Sequence, residues 1–204
     1  QEALGTRPVF LKQVHGVKTV MLEANSPNGL EADACIALDK QVACTIMVAD
    51  CLPVLLCDTR GRWVAAAHAG WRGLAGSGGR GVLEALLASA PLSETPVEEL
   101  LAWLGPCIGP RAFEVGPEVR AAFCDADTGV AECFSPVKQG KWLADLASLA
   151  RHRLQRMGLR RIYGNNGAPA WCTVTQASRY FSHRRDSPVL GQSGRMAACI
   201  WLAD

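Results

Sequence analysis

The chain has 204 residues, of which 49% are hydrophobic and 20% charged, and a formal net charge of +2. That size and apolar content suffice for one globular domain with a full core, so neither a disulfide nor a structural metal is needed merely to fold. The basic residues are spread thinly, in pairs such as Arg160-Arg161 and Arg184-Arg185, which argues against a nucleic-acid face; no apolar run reaches the roughly 18 residues of a membrane span.

The first part of the chain alternates short β-type runs with turns: Val9 to Val14, Thr19 to Leu22, Ala34 to Leu38, Val42 to Ala49, Val54 to Cys57 and Trp63 to Ala67. Their close spacing predicts antiparallel pairing. The stretch Gly76-Ser77-Gly78-Gly79 reads as a flexible loop, and after it Val82, Leu83, Leu86 and Leu87 recur at helical spacing. A helix is expected from Pro117 to Phe123, because proline is tolerated in a first turn. The clearest helix runs from Leu143 to Met157, with Leu143, Leu146, Leu149, Ala150, Leu154 and Met157 on one side and Gly158 as its stop. The last run, Met196 to Leu202, is almost wholly apolar and is expected as a central strand. With no repeat, linker or low-complexity segment, the chain reads as one α+β domain.

The cysteines number nine, none is in a C-x-x-C pair, and Cys35, Cys44, Cys57 and Cys199 lie inside apolar runs. They read as small buried hydrophobes in a reducing, cytoplasmic setting. The chain opens at Gln1, shortly before a strand, which leaves room for a preceding segment.

Three residues stand out for chemistry: His15 in Gln13-Val14-His15-Gly16, Cys51 in Ala49-Asp50-Cys51-Leu52-Pro53, and His68 in His68-Ala69-Gly70-Trp71-Arg72-Gly73. Each lies where a strand-like run stops at a turn, so the three can converge at one sheet edge. Two imidazoles and a thiolate suit Zn2+, and three protein ligands leave a fourth position for water or substrate. An unperturbed thiol with a pKa of about 8.5 costs on the order of 2 kcal/mol to ionise at pH 7, which zinc coordination exceeds. Bound zinc also lowers the pKa of its water to about 7, the chemistry a deaminase needs.

Arg72 shares a turn with His68, and Arg184-Arg185-Asp186 follows Tyr180-Phe181-Ser182-His183 in a second polar turn. A planar guanidinium binds phosphate or carboxylate bidentately. Gly105-Pro106-Cys107-Ile108-Gly109-Pro110 reads as a rigid loop with Cys107 as a packed thiol. Asp50 and Glu114 are the carboxylates placed for general acid or base work, or for supporting a ligand.

The words Gln-Val-His-Gly, Ala-Asp-Cys-Leu-Pro-Val-Leu, His-Ala-Gly-Trp-Arg-Gly, Leu-Gly-Pro-Cys-Ile-Gly-Pro, Phe-Glu-Val-Gly, Phe-Ser-His-Arg-Arg-Asp and Gly-Arg-Met-Ala, in this order from Gln13 to Leu202, resemble the YfiH-type family, long labelled polyphenol oxidase or laccase-domain proteins. The resemblance implies an α-β-β-α layered sandwich, similar to the catalytic domain of cytotoxic necrotising factor, with zinc on His15, Cys51 and His68. It also implies purine nucleoside chemistry: phosphorolysis of adenosine, inosine and 5'-methylthioadenosine, and adenosine deamination. Its partners would then be nucleosides and phosphate, with Asp50 or Glu114 moving protons and Arg72, Arg184 and Arg185 meeting the phosphate. The chain departs from the family in lacking a Thr-Arg-x-Gly-Gly-x-Ser type word near the N-terminus and in a longer Gly-rich stretch after Gly73.

Three alternatives stand beside this reading. Cys51 with His68 as its base would make a cysteine hydrolase, the class into which the peptidoglycan-editing role proposed for relatives falls. A fully coordinated metal would suit a storage or partner-binding domain. Copper can enter the single site adventitiously, but four histidines cannot ligate the four coppers of a multicopper oxidase.

Overall fold

The computed structural model describes residues 5–138 and 140–203. In chain order it forms β1 (Arg7–Lys12), β2 (Thr19–Leu22), β3 (Leu30–Glu31), β4 (Ala34–Ala37), β5 (Val42–Val48), β6 (Leu52–Asp58), β7 (Val64–Ala69), α1 (Trp71–Ala75), α2 (Val82–Leu87), β8 (Leu100–Leu104) and β9 (Glu114–Val115). It continues with α3 (Pro117–Cys124), β10 (Phe134–Pro136), β11 (Trp142–Ala144), α4 (Leu146–Arg156), β12 (Arg161–Gly164), α5 (His183–Leu190) and β13 (Met196–Ile200). A six-stranded sheet runs β12-β8-β6-β7-β4-β2, a four-stranded sheet β13-β5-β1-β3, and a small one β10-β11-β9.

Side-chain alternation explains the layers. Ala65, Ala67 and Ala69 of β7 join Leu52, Val54 and Leu56 of β6 in a core shared with the helical residues Leu74, Leu83, Leu86, Val119, Phe123, Leu149 and Leu154. The opposite face, with Val64 and Ala66 of β7, meets Val42, Cys44, Ile46 and Val48 of β5 in a second core between the sheets. Strands covered on both faces read as nearly unbroken apolar runs. The result is the layered α+β sandwich expected.

Four expectations about the elements change. Pairing is antiparallel for β4·β7, β6·β7, β6·β8 and β5·β13, but parallel for β1·β5, β1·β3, β2·β4 and β8·β12. From β1 to β6 successive strands alternate between the two large sheets, whereas β6 and β7 fold back on each other, so short spacing alone does not set pairing direction. β13 lies at an edge, paired with β5 alone, and is partly exposed despite its apolar sequence. The helix expected from Leu143 begins at Leu146, because Asp145 caps it through the Ser148 N–H at 3.0 Å and residues 142–144 pair as β11. The Gly-rich stretch is a tight turn: Ser77 and Arg80 exchange backbone hydrogen bonds, and the Gly79 carbonyl accepts from the buried Arg153.

Two carboxylates, the partly exposed Asp127 and the buried Asp58, lend the fold acid sensitivity. Arg156 at 2.6 Å, together with His152, outweighs burial and draws the Asp127 carboxyl down to about 2. Burial pushes the Asp58 carboxyl up, but the Arg62 side chain and N–H more than offset it. A carboxyl lowered in the folded chain contributes stability that is fully present above its unfolded pKa of about 4 and lost as pH falls through the folded value. The thermal midpoint should therefore fall between about pH 4 and pH 2, and Asp127→Asn should flatten part of that slope; an unchanged profile in the variant would count against the assignment.

Candidate metal centre and cavity

His15 follows β1, Cys51 occupies the tight link between β5 and β6, and His68 is the penultimate residue of β7. Parallel pairing of β1 with β5 and antiparallel pairing of β6 with β7 bring these strand ends together. The ligand atoms of the three side chains all lie within 4.8 Å of one another, with Cys51 Sγ 3.7 Å from His15 Nε2. Zn–S and Zn–N bonds of about 2.3 and 2.0 Å at a tetrahedral centre put sulfur and nitrogen roughly 3.5 Å apart. The trio thus fits a metal of this size and leaves a coordination position unfilled by protein. It is the one such group of His, Cys, Asp and Glu among the described residues.

A residue the sequence reading passed over holds the trio in place. Asp33, fully buried, accepts the Nδ1–H of His68 at 2.8 Å and the backbone N–H groups of Val14, His15 and Gly16 at 3.1, 2.9 and 2.7 Å. These bonds hold His15 at a φ of 61°. Burial pushes the Asp33 carboxyl up, yet the His68 and backbone hydrogen bonds bring it below its ordinary value, so it stays ionised. An ionised Asp33 keeps the His68 proton on Nδ1 and turns the Nε2 lone pair towards the trio, as carboxylate–histidine pairs do at metal sites. Its sequence signal is a lone acid inside the apolar stretch Ala32 to Ala37.

Burial alone would raise the Cys51 thiol, but His15 and His68 bring it down to about 7. Burial would lower His68, whereas Asp33 and Cys51 raise it to about 9.

Space for an added methyl is absent at Gly70, where a Cβ would lie 2.8 Å from His15 Cδ2 and 3.0 Å from Cys51 Sγ. Its φ of −67° suits alanine. Gly70→Ala should therefore fold while binding zinc more weakly, by about tenfold or more, the scale of disturbed ligand support. Chelator competition beside a melting curve checks this; unchanged affinity would show that the ligand loop yields freely.

The trio opens into a cavity of about 500 Å³, within the range of small-ligand pockets. Trp71, Ile108 and Phe113 supply apolar wall, and His183, Arg184 and Arg195 supply polar wall. Of the remaining expected site residues, Asp50 and Arg184 line this cavity, while Glu114, Arg72 and Arg185 do not. Asp50, at a φ of 89°, accepts from Thr173 Oγ1 at 2.5 Å and from the Arg184 N–H at 2.7 Å. Its carbonyl accepts from the Ile108 N–H, so it pins the Cys51 turn to two walls of the cavity.

Glu114 is exposed on β9, where alternation buries Val115 instead; only its carbonyl meets Arg184. Arg72 is exposed, with its guanidinium 4.4 Å over the Trp71 ring. Arg185 spends its donors on the Thr173, Val174 and Tyr180 carbonyls and on Asp186. The second polar turn is in fact α5, capped by Ser182. Its polar composition and internal Pro188 hide it, although the serine cap was visible in the sequence. His183 and Arg195 were also missed as wall residues, though both lie inside words that carry the family resemblance.

The family model described as multi-copper polyphenol oxidoreductase laccase matches residues 1–203. The chain belongs to that family. Among its members, a Pseudomonas aeruginosa protein named purine nucleoside phosphorylase PA4543 is 48% identical over all of this chain and 77% of its own length. The Escherichia coli purine nucleoside phosphorylase YfiH is 45% identical over 98% of this chain and 75% of its own. In structure, Neisseria meningitidis NMB0706 aligns with a TM-score of 0.87 at 41% identity, over 100% of this chain and 78% of that one. Bacillus licheniformis YfiH aligns with the same TM-score at 25% identity, over 99% and 78%. The copper in the family description does not fit four histidines spread as they are here: His152 is tied to Asp127, and only His15 and His68 join a ligand group among the described residues.

Proposed function

We propose that this laccase-family chain is a zinc-dependent purine nucleoside phosphorylase of the cytoplasm, which also cleaves 5'-methylthioadenosine by phosphorolysis and deaminates adenosine. The observation that carries the reading is the meeting, in one cavity, of an open His-Cys-His ligand group, an apolar wall and a cationic wall. The names of relatives at 48% and 45% identity point the same way. A zinc ion on His15, Cys51 and His68 supplies Lewis acidity at one side of the cavity.

The chain's own residues supply the rest. Phe113, Ile108 and Trp71 offer an apolar surface for a purine. Arg184 orients phosphate, and phosphorolysis then rests on positioning and charge stabilisation. Asp50, the one carboxylate lining the cavity among the described residues, is the group assigned to proton transfer in deamination; Glu114 is too exposed on β9 for that role.

Zinc-loaded protein incubated with adenosine, with and without phosphate, tests the reading by chromatographic separation of adenine, inosine and hypoxanthine. Adenine that needs phosphate establishes the phosphorylase, and inosine formed without it establishes the deaminase. Cys51→Ala should abolish zinc retention and both products; either product from metal-free C51A would sink the proposal. A second reading, a cysteine hydrolase acting through Cys51, is favoured by the thiol being drawn down to about 7. It requires a covalent acyl adduct on Cys51, which intact-protein mass spectrometry would detect.

A further inference from the structure

We infer that Arg184 and Arg195 together form a subsite for a phosphoryl oxyanion beside Cys51. The subsite rests on the phosphorylase reading for its place in a reaction, whereas the binding itself is measurable without turnover.

Several arginines are already neutralised. Arg60, Arg62, Arg153, Arg156 and Arg185 each meet a carboxylate. Arg184 and Arg195 meet none among the described residues. The Arg184 guanidinium makes only two 3.3 Å bonds to the neutral Glu114 carbonyl and stands 5.7 Å from the Phe113 ring centre. Arg195 uses Nη1, towards Ser193 and the Gly194 carbonyl, and its Nε and Nη2 meet no acceptor among the described residues.

Both side chains line the cavity, and so do His15, His68 and His183. The carboxylate that could balance them is Asp50, whose two oxygens are taken by Thr173 and the Arg184 N–H. Two guanidinium groups against that single carboxylate leave the cavity lining net cationic among the described residues, which favours an anion, and the guanidinium fork matches phosphoryl oxygens.

The backbone fixes where that anion lies. Arg195 precedes Met196, which pairs with Val48 at the end of β5, and Arg184 is anchored by its N–H on Asp50. Both backbones thus meet the Ala49 to Cys51 link, and an oxyanion held by the pair would lie in the cavity that Cys51 also lines. Neither Arg72 nor Arg185, the other arginines expected there, lines this volume. Two sources share the chemistry: inorganic phosphate as co-substrate, and the 5'-phosphate of a nucleotide.

Calorimetric titration of the zinc-loaded chain with inorganic phosphate, and separately with adenosine 5'-phosphate, tests the subsite in Arg184→Gln, Arg195→Gln, Arg195→Lys and the exposed Arg161→Gln on β12. The expected result is a phosphate Kd raised at least about tenfold in each glutamine variant of the pair, partly restored in Arg195→Lys and unchanged in Arg161→Gln. Parallel weakening of the nucleotide identifies the ester as a second occupant, and nucleotide binding that ignores the substitutions identifies free phosphate as the occupant. In turnover the same variants should raise the KM for phosphate and leave that for adenosine. Wild-type protein that binds no phosphate, or glutamine variants that bind it as wild type does while melting normally, would overturn the proposal. Phosphate binding that depends on Arg195 in a protein that releases no adenine would keep the subsite and remove the phosphorylase reading.

Discussion

Asp33→Asn is expected to weaken zinc binding by about 10- to 100-fold, the cost typical of losing the carboxylate behind a metal-bound histidine. The amide preserves the shape of the carboxylate but has only one oxygen for the four donors that Asp33 satisfies: the His68 Nδ1–H and the N–H groups of Val14, His15 and Gly16. Whichever way the amide faces, some buried donors lose their acceptor, and the His68 proton is no longer held on Nδ1. Both imidazoles are disturbed by one substitution. Competition with a chromophoric chelator measures the loss, and the melting curve of the metal-free variant separates it from unfolding. Zinc affinity within twofold of wild type would show that the ligand geometry is set elsewhere.

The largest expected effect on stability lies far from the cavity. Arg153 on α4 is 6% exposed and donates to Glu84 at 3.0 Å, to the Gly79 carbonyl at 3.0 Å and to the Ala75 carbonyl at 3.2 Å. Glu84 in turn accepts from the Gly81 N–H at the start of α2. One guanidinium thus ties α4 to the end of α1, the glycine turn and α2. Arg153→Met should cost about 3–5 kcal/mol, because it strands a carboxylate and two carbonyls with little access to water. Removal of the exposed Arg60, which bonds Glu99, should cost no more than about 1 kcal/mol. Urea unfolding at equal m-values compares the two, and similar losses would mean that Arg153 is better hydrated than its burial implies.

The meeting of His15, Cys51 and His68 was legible because each occupies a turn that ends an apolar run, and three such turns with soft donors are few in a chain with four histidines. The α+β class and the α2 and α3 segments were legible from periodicity alone, which is a local property. Pairing direction is not local: β1 and β5 pair in parallel because the intervening strands β2 and β4 belong to the other sheet. The edge position of β13 was hidden for a similar reason, since small apolar residues such as Ala197 and Ala198 suit a half-covered strand as well as a buried one. Among the arginines, charge and position in a turn marked candidates but could not say which were already partnered. Arg185 spends its guanidinium on carbonyls and its neighbour Asp186, whereas Arg195 keeps its own open.

His15, Cys51 and His68 all come from the first third of the chain, whereas Ile108, Phe113, Arg184 and Arg195 of the cavity wall come from the remainder. The ligand trio and the near wall of the cavity, with Leu11, Gln13, Met47 and Trp71, are thus written in one stretch of sequence and the far wall in another, and the bonds of Asp50 to Ile108, Thr173 and Arg184 join the two. A lineage, or a laboratory, can rewrite the far wall of the cavity while the ligand-bearing strands stay untouched. Specificity in such a molecule can drift quickly around a reactive centre that hardly changes.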